Sequence, residues 1–105
     1  MALTSYETTT VRGTADGDLV AADGSKHHYI TRIYMRSDEV GTCTANLDNV
    51  AGGATGEILG LQCGQYGYFK GKWSKGSALD MGAGGTITLD NATNLGEILI
   101  TYYTE

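Results

Sequence analysis

The sequence predicts an all-β protein, an antiparallel jelly-roll-like β-sandwich of about eight short strands. Three observations favour this fold class. Apolar and polar residues alternate in short runs, which is the period of a half-buried strand. Turn signals recur at intervals of roughly 8–12 residues, as they do in sandwiches. The chain contains 16 Gly and no Pro, a composition that suits many short strands joined by tight turns.

The length of 105 residues indicates one domain. We expect an N-terminal arm over residues 1–12 and a single sandwich domain over residues 13–105. Residues 6–11 (YETTTV) are polar but rich in strand formers, which predicts an edge or arm strand, with a disordered tail as the alternative. Asp16-Gly17 and Asp23-Gly24 are turn signals with a very short strand between them.

The longest predicted strand runs over residues 26–36 (KHHYITRIYMR). Strict alternation places two different sets of side chains on its faces. One face carries His27, Tyr29, Thr31, Ile33 and Met35, and the other carries His28, Ile30, Arg32, Tyr34 and Arg36. Both faces are partly apolar, so we expect one to enter the core and the other to meet a second surface. That surface is either a neighbouring subunit or the protein's own loops.

The two cysteines lie on two further predicted strands. In residues 42–48, Cys43 shares a face with Ala45 and Leu47, and in residues 57–63, Cys63 shares a face with Leu59 and Leu61. Both thiols therefore fall on apolar faces, which predicts that they are buried and reduced. The alternative is a disulfide, which would close a loop of about 20 residues and contribute on the order of 3 kcal/mol.

The only Trp and the only Phe lie in residues 66–81 (YGYFKGKWSKGSALDM). This stretch predicts a short aromatic strand, then a bend between Gly71 and Gly76 that contains Trp73. Two alternating strands follow, over residues 86–90 and 97–103. The alternation predicts a core of apolar residues drawn from most strands: Ile33, Cys43, Leu47, Leu59, Leu61, Phe69, Leu79, Ile87, Leu89, Ile98 and Ile100.

The formal net charge of −5 argues against nonspecific nucleic-acid binding, which needs a basic footprint. No apolar run approaches the roughly 18 residues that span a membrane. The first ten residues (MALTSYETTT) lack the charged and apolar regions of a signal peptide. We therefore expect a protein that is made and assembled in a cytoplasm, with no nucleic-acid or membrane partner.

The sequence predicts no catalytic residue, metal site or cofactor, and we expect a protein that is not an enzyme. Asp16, Asp18 and Asp23 lack the spacing and the closing Glu of an EF-hand. His27 and His28 are neighbours on a strand and point to opposite faces, so they do not easily join one metal site. The basic and aromatic residues of the 66–81 stretch leave two alternatives open. One is stacking of single-stranded nucleic acid, which the acidity disfavours, and the other is contact with a sugar ring.

Three blocks of the sequence together resemble small virion proteins of tailed bacteriophages. The first is a long strand followed by a thiol-bearing strand, at residues 29–35 and 41–47. The second is an I-L-G-L strand with a W-x-x-G-x-A-L bend, at residues 58–61 and 73–79. The third is an alternating apolar ending closed by Tyr and Glu, at residues 98–105. These blocks extend from the long strand to the C-terminus.

The resemblance implies a compact jelly-roll decoration (cement) protein, often trimeric, that binds the major capsid protein on the capsid exterior. It offers no catalytic residues to carry over. On this basis we expect subunit contacts at Tyr29, Arg32, Tyr34 and Arg36. We also expect the arm to reach the partner, by adding a strand to an exposed sheet edge, through Ala2, Leu3, Tyr6 and Val11.

Similar domains also occur in tail and fibre proteins. The alternative is therefore a carbohydrate-binding or receptor-binding module of a phage tail or fibre, with Tyr66, Tyr68 and Trp73 as the glycan contacts. A small enzyme of barrel or cupin type is a third hypothesis, which two adjacent histidines do not support.

Overall fold

The computed structural model describes residues 7–51 and 54–105. Within these residues the chain forms nine strands and one short 3-10 turn, Lys75–Ser77, with no α-helix. The predicted all-β fold class is confirmed. The strands are β1 (Thr9–Gly13), β2 (Gly17–Val20), β3 (His27–Arg36), β4 (Cys43–Ala51), β5 (Ala54–Cys63), β6 (Tyr68–Lys72), β7 (Leu79–Ala83), β8 (Ile87–Thr93) and β9 (Glu97–Thr104).

The strands form two antiparallel sheets. Sheet A has the order β1-β9-β3-β6, with β7 also paired to β3, and sheet B has the order β2-β8-β4-β5. Strands β6 and β7 pair with successive halves of β3, so they act as one interrupted strand. If β6 and β7 are counted as one, the chain has eight strands that pair in a nested order. The pairs are β1 with β9, β2 with β8, β3 with β6 and β7, and β4 with β5. This nested pairing is the topology of a jelly roll.

Strand β3 does not alternate strictly, because it contains a β-bulge. Ile30 pairs with Tyr102 and Arg32 pairs with Thr101, so the intervening Thr31 has no partner of its own in β9. The extra residue switches which side chains face inward. His28 and Ile30 are buried before the bulge, and Ile33 and Met35 after it. The predicted assignment of one face to all odd positions is therefore wrong for the first half of the strand.

The core lies between the two sheets. Eight of the eleven predicted core residues are buried, and the other three, Leu59, Phe69 and Leu79, pack against the core while remaining half-buried. These three lie on β5, β6 and β7, the strands at sheet edges, where a side chain has neighbours on one side only. Cys63, predicted to be a buried thiol, is buried as well. Several further buried residues were not predicted: Val20, His28, Ile30, Met35, Ala45 and Met81.

The predicted arm overlaps sheet A. Residues 9–12 belong to β1, which pairs in register with β9 from Thr9↔Tyr102 to Gly13↔Ile98. Strand β1 forms one edge of sheet A. Residues 2–6, including the expected partner contacts Ala2, Leu3 and Tyr6, lie outside the described residues.

Candidate functional site

The outer face of sheet A carries all four residues expected at subunit contacts. Strict alternation places Tyr29 opposite to Arg32, Tyr34 and Arg36. The bulge at Thr31 reverses the alternation between them, and the four side chains project from the same side of the sheet. The structure thus brings together residues that the sequence pattern alone would separate.

Register aligns these side chains with neighbours from the adjacent strands, in rows that cross the sheet. The first row is polar and basic, and consists of Thr10, Thr101, Arg32 and Lys72. The second has an apolar and aromatic centre with basic ends, and consists of Arg12, Leu99, Tyr34 and Lys70. The third consists of Glu97, Arg36 and Tyr68.

The outer face of sheet A concentrates the positive charge of an acidic protein. Five of the seven basic residues of the chain project from it, namely Arg12, Arg32, Arg36, Lys70 and Lys72. The carboxylates that the paired strand residues of this face carry are Glu97 and Asp80. Asp38 and Glu105 lie beside the face and form ion pairs with Arg36 and Lys75, respectively. The paired strand residues therefore give the face a formal charge of +3 (five minus two) in a chain whose net charge is −5.

One end of the face is neutralised by an ion-pair network. Glu97 Oε2 accepts hydrogen bonds from Arg12 Nε and from Arg36 Nη2, each at 3.2 Å. Arg36 Nη1 also donates to Asp38 Oδ2 at 3.3 Å. The hydrogen bond with Glu97 raises the pKa of Arg36 above its ordinary value, so this guanidinium stays charged. The charges at this end of the face are therefore paired within the chain.

The other three basic side chains of this face can each pair with a ligand or a second molecule. Arg32, Lys70 and Lys72 form no ion pair with any described residue. Lys70 Nζ lies 5.9 Å from the ring centroid of Tyr34 and 5.2 Å from that of Tyr68, within range of a cation–π contact. The centroids of the two tyrosine rings lie 6.4 Å apart, and the ring planes are inclined by 29°.

A shallow groove of about 520 Å³ lies between the first and second rows. We call it the basic groove. Its volume is in the range of ordinary ligand sites. Side chains from four strands line it: Thr10, Arg32, Tyr34, Lys70, Lys72, Leu99 and Thr101. The groove therefore combines three cations that form no ion pair with a described residue, together with Leu99 and a tyrosine ring, which suits a ligand that is acidic and partly apolar.

The second end of the face is aromatic. The rings of Tyr29 and Tyr103 stack with centroids 5.0 Å apart, and Tyr103 donates from its hydroxyl to the Lys75 carbonyl at 3.2 Å. His27 Nδ1 lies 2.7 Å from Asp80 Oδ1. Burial alone would raise the pKa of Asp80, but hydrogen bonds from His27 and from the Gly82 N–H outweigh it and hold that pKa below its ordinary value.

The remaining predicted site residues do not share one surface. Val11 points inward and packs against the core. Tyr68 projects from the outer face of sheet A and is 64% exposed, whereas Trp73 packs against the core side. Tyr66 lies in the turn before β6, with a positive φ of 53°. The structure therefore does not assemble Tyr66, Tyr68 and Trp73 into one glycan platform.

Sequence reasoning did not identify the full lining of the basic groove. The sequence groups Lys70 and Lys72 with the aromatic residues of their own segment, whereas Leu99 and Thr101 lie in the last predicted strand, over residues 97–103. The pairing of β6 with β3, and of β3 with β9, brings these two groups together. The alternation of Tyr68, Lys70 and Lys72 indicates that these three side chains share one face of a strand. It does not indicate which strands lie beside that strand in the sheet.

The two cysteines are directly paired across β4 and β5. Both are buried and free, as predicted. Burial, with a smaller contribution from the neighbouring thiol of Cys63, raises the pKa of Cys43 to about 11. A thiol held protonated at neutral pH and enclosed between two sheets is a poor nucleophile.

The two histidines have separate environments, as their adjacent positions predict. His28 is buried, and its Nε2 donates to the Ala21 carbonyl at 2.8 Å. With Nε2 protonated in the neutral ring, Nδ1 accepts from Thr104 Oγ1 at 2.7 Å. Over residues 7–51 and 54–105, no three His, Cys, Asp or Glu side chains are grouped as metal ligands would be.

Comparison with protein-family models, with curated proteins and with solved structures finds no match to this chain. In the described part of the chain, no helix is long and apolar enough to span a membrane.

Proposed function

We propose that this protein is a non-enzymatic virion structural protein of a tailed bacteriophage, which self-associates as a trimer and fastens to the outer surface of the capsid. The virion assignment comes from the resemblance of its sequence blocks to small virion proteins. The observation that carries self-association is the outer face of sheet A, where unpaired cations surround Leu99 and the tyrosine rings.

Subunit contact through this face has a physical advantage. A domain of 105 residues has a small core. Covering the half-buried Leu99, Tyr34 and Tyr29 between subunits would contribute about 25 cal/mol per Å² of apolar area. A closed ring would then present the same loops repeatedly to a symmetric lattice. Once one subunit of the ring has bound the lattice, the others are held at a high effective concentration near their own sites, so the whole ring binds more tightly than one subunit.

The attachment of the protein to capsids is tested by binding to undecorated particles. The expected partner segment is the N-terminal arm, and β1 begins at Thr9. Deletion of residues 2–8 therefore removes the part of the arm that precedes β1, with the expected contacts Ala2, Leu3 and Tyr6, and leaves β1 in place. We expect the parent protein to sediment with the particles and the deletion variant to bind at least about tenfold more weakly.

Two results would contradict this proposal. Undiminished binding of the truncated protein would remove the arm from the mechanism. Failure of the parent protein to bind undecorated particles would refute capsid attachment itself. The mass in solution is measured in parallel by light scattering, and a trimer is expected at three times the 11.1 kDa of the chain.

A carbohydrate-binding or receptor-binding module of a tail or fibre is the second candidate. It is favoured by the neighbouring rings of Tyr34 and Tyr68 beside the groove, of which Tyr68 is 64% exposed. Exposed aromatic rings next to hydroxyl groups can hold a sugar. A strictly monomeric mass together with tight glycan binding that Tyr68→Ala abolishes would favour this candidate over the capsid protein.

A further inference from the structure

The charge of the outer face of sheet A restricts how two copies can meet. The face is formally +3 in a chain of net charge −5, which leaves −8 on the rest of the molecule (−5 minus +3). A face-to-face dimer whose two-fold axis passes through the basic groove would place Arg32, Lys70 and Lys72 close to the same residues of its partner, and like charges across an interface are unfavourable. A head-to-tail contact instead joins two different surfaces.

An acidic turn with an apolar tip lies at one end of the sandwich. It consists of Asp38, Glu39 and Val40, between β3 and β4. Val40 is 69% exposed, the largest exposure among the bulky apolar residues that the structure describes. Glu39 forms no ion pair with any described residue.

The acidic turn is held in a fixed shape. Ser37 is buried, and its hydroxyl donates to the Asn94 carbonyl at 2.9 Å and accepts from the Glu39 N–H at 3.3 Å. The Ser37 N–H donates to the Gly67 carbonyl at 2.9 Å. A turn that is already ordered loses little conformational entropy when it binds. These bonds anchor the turn to the segments around Asn94 and Gly67.

We infer that the basic groove of one copy binds the acidic turn of a second copy. Glu39 of the second copy pairs with Arg32 and Lys72, and Val40 packs on Leu99 and the Tyr34 ring. This contact accounts for the exposure of Val40 and for the three unpaired cations of the groove. It rests on the proposed self-association of the protein, and it does not depend on where the protein attaches.

The test is a charge exchange in the full chain. Lys72→Glu reverses the groove, Glu39→Lys reverses the turn, and a third protein carries both changes. Lys26→Glu and Asp23→Lys are matched controls, because both residues are exposed and lie in the loop between β2 and β3, outside the proposed contact. The association constant is measured by analytical ultracentrifugation at about 0.05 M and about 1 M salt, after circular dichroism has shown that each variant is folded.

We expect the parent protein to associate at low salt and to dissociate at high salt. Each single change at the contact should weaken association on the order of tenfold, and the combined protein should recover most of that loss, because the exchanged charges attract again. Val40→Ser should weaken association while preserving its dependence on salt. The controls should match the parent protein.

A monomer at every salt concentration would overturn the inference. So would a combined variant no better than the single changes, or a loss with Lys26→Glu as large as that with Lys72→Glu. Particle binding by the same samples separates the two proposals. Self-association with the expected rescue but without particle binding refutes the capsid proposal alone. A monomer that binds particles refutes self-association, and the head-to-tail contact with it, but leaves capsid attachment standing.

Discussion

Leu61 shows how a core residue supports this fold. It lies on β5, is only 5% exposed and belongs to the cluster between the two sheets. Leu61→Ala removes buried apolar atoms and leaves a cavity, so we expect the free energy of unfolding to fall by about 2–5 kcal/mol. Val40→Ala, at an exposed position, should change it by less than about 0.5 kcal/mol. Urea denaturation checks both. A Leu61→Ala variant as stable as the parent would show that the inward face of β5 is assigned wrongly.

The reactivity of the cysteines follows from their burial. The pKa of Cys43 is raised to about 11, so roughly one thiol in a thousand is ionised at pH 8. We expect slow alkylation of the native protein and uptake of two equivalents once it is denatured without reductant. The raised pKa stabilises the fold below the ordinary thiol pKa, and that contribution is lost as the pH rises towards 11. Denatured, unreduced protein that takes up no reagent would show that Cys43 and Cys63 are bridged.

At the scale of one strand, the bulge in β3 decides which residues meet on the outer face of sheet A. Without Thr31, Ile30 and Arg32 would be adjacent and would pair in regular register with Tyr102 and Thr101. Deletion of Thr31 should therefore preserve the fold. It removes the hydrogen bonds from Thr31 Oγ1 to the Thr101 carbonyl and from the Trp73 N–H to the Thr31 carbonyl. We expect a cost of about 1–3 kcal/mol.

Deletion of Tyr34 is the control for this prediction. It removes one residue from a regular part of β3, so that Met35 would turn outward and Arg36 inward. We expect this variant to be unfolded. Thermal melting followed by circular dichroism compares the two deletions. Equal loss of structure in both would show that Thr31 is not an extra residue in the ladder.

The strands could be predicted from the sequence because alternation within a strand is a local property. The switch at Thr31 could not, because Tyr29 and Arg32 both look regular until the partner strand β9 is known. The half-burial of Phe69 and Leu79 has a similar origin, since it depends on the place of β6 and β7 at a sheet edge. The basic groove required the order of four strands, which alternation alone does not supply.

At the scale of the whole molecule, the fold gathers basic residues on one surface, which the net charge does not reveal. The net charge of −5 argues against nonspecific nucleic-acid binding, and it does not reveal that the sandwich places five of the seven basic residues on one sheet face. The separation arises because β3 and β6 pair directly, with Arg32 opposite Lys72 and Arg36 opposite Tyr68. Net charge thus predicts the average field of the protein but not the chemistry of a given surface.

The nested strand pairing also makes β1 part of the folded domain. Strand β1 pairs with β9, and its Val11 packs against the core. Deletion of residues 2–8 should leave the melting temperature within about 2 °C of the parent value, since β1 remains. Deletion of residues 2–13 removes β1 and exposes the edge of β9. We expect the loss of backbone hydrogen bonds and of Val11 burial to cost about 2–4 kcal/mol, and to lower the melting temperature by about 10–20 °C. A domain that began at residue 13 would tolerate both deletions almost equally, so calorimetry of the two variants decides between the boundaries.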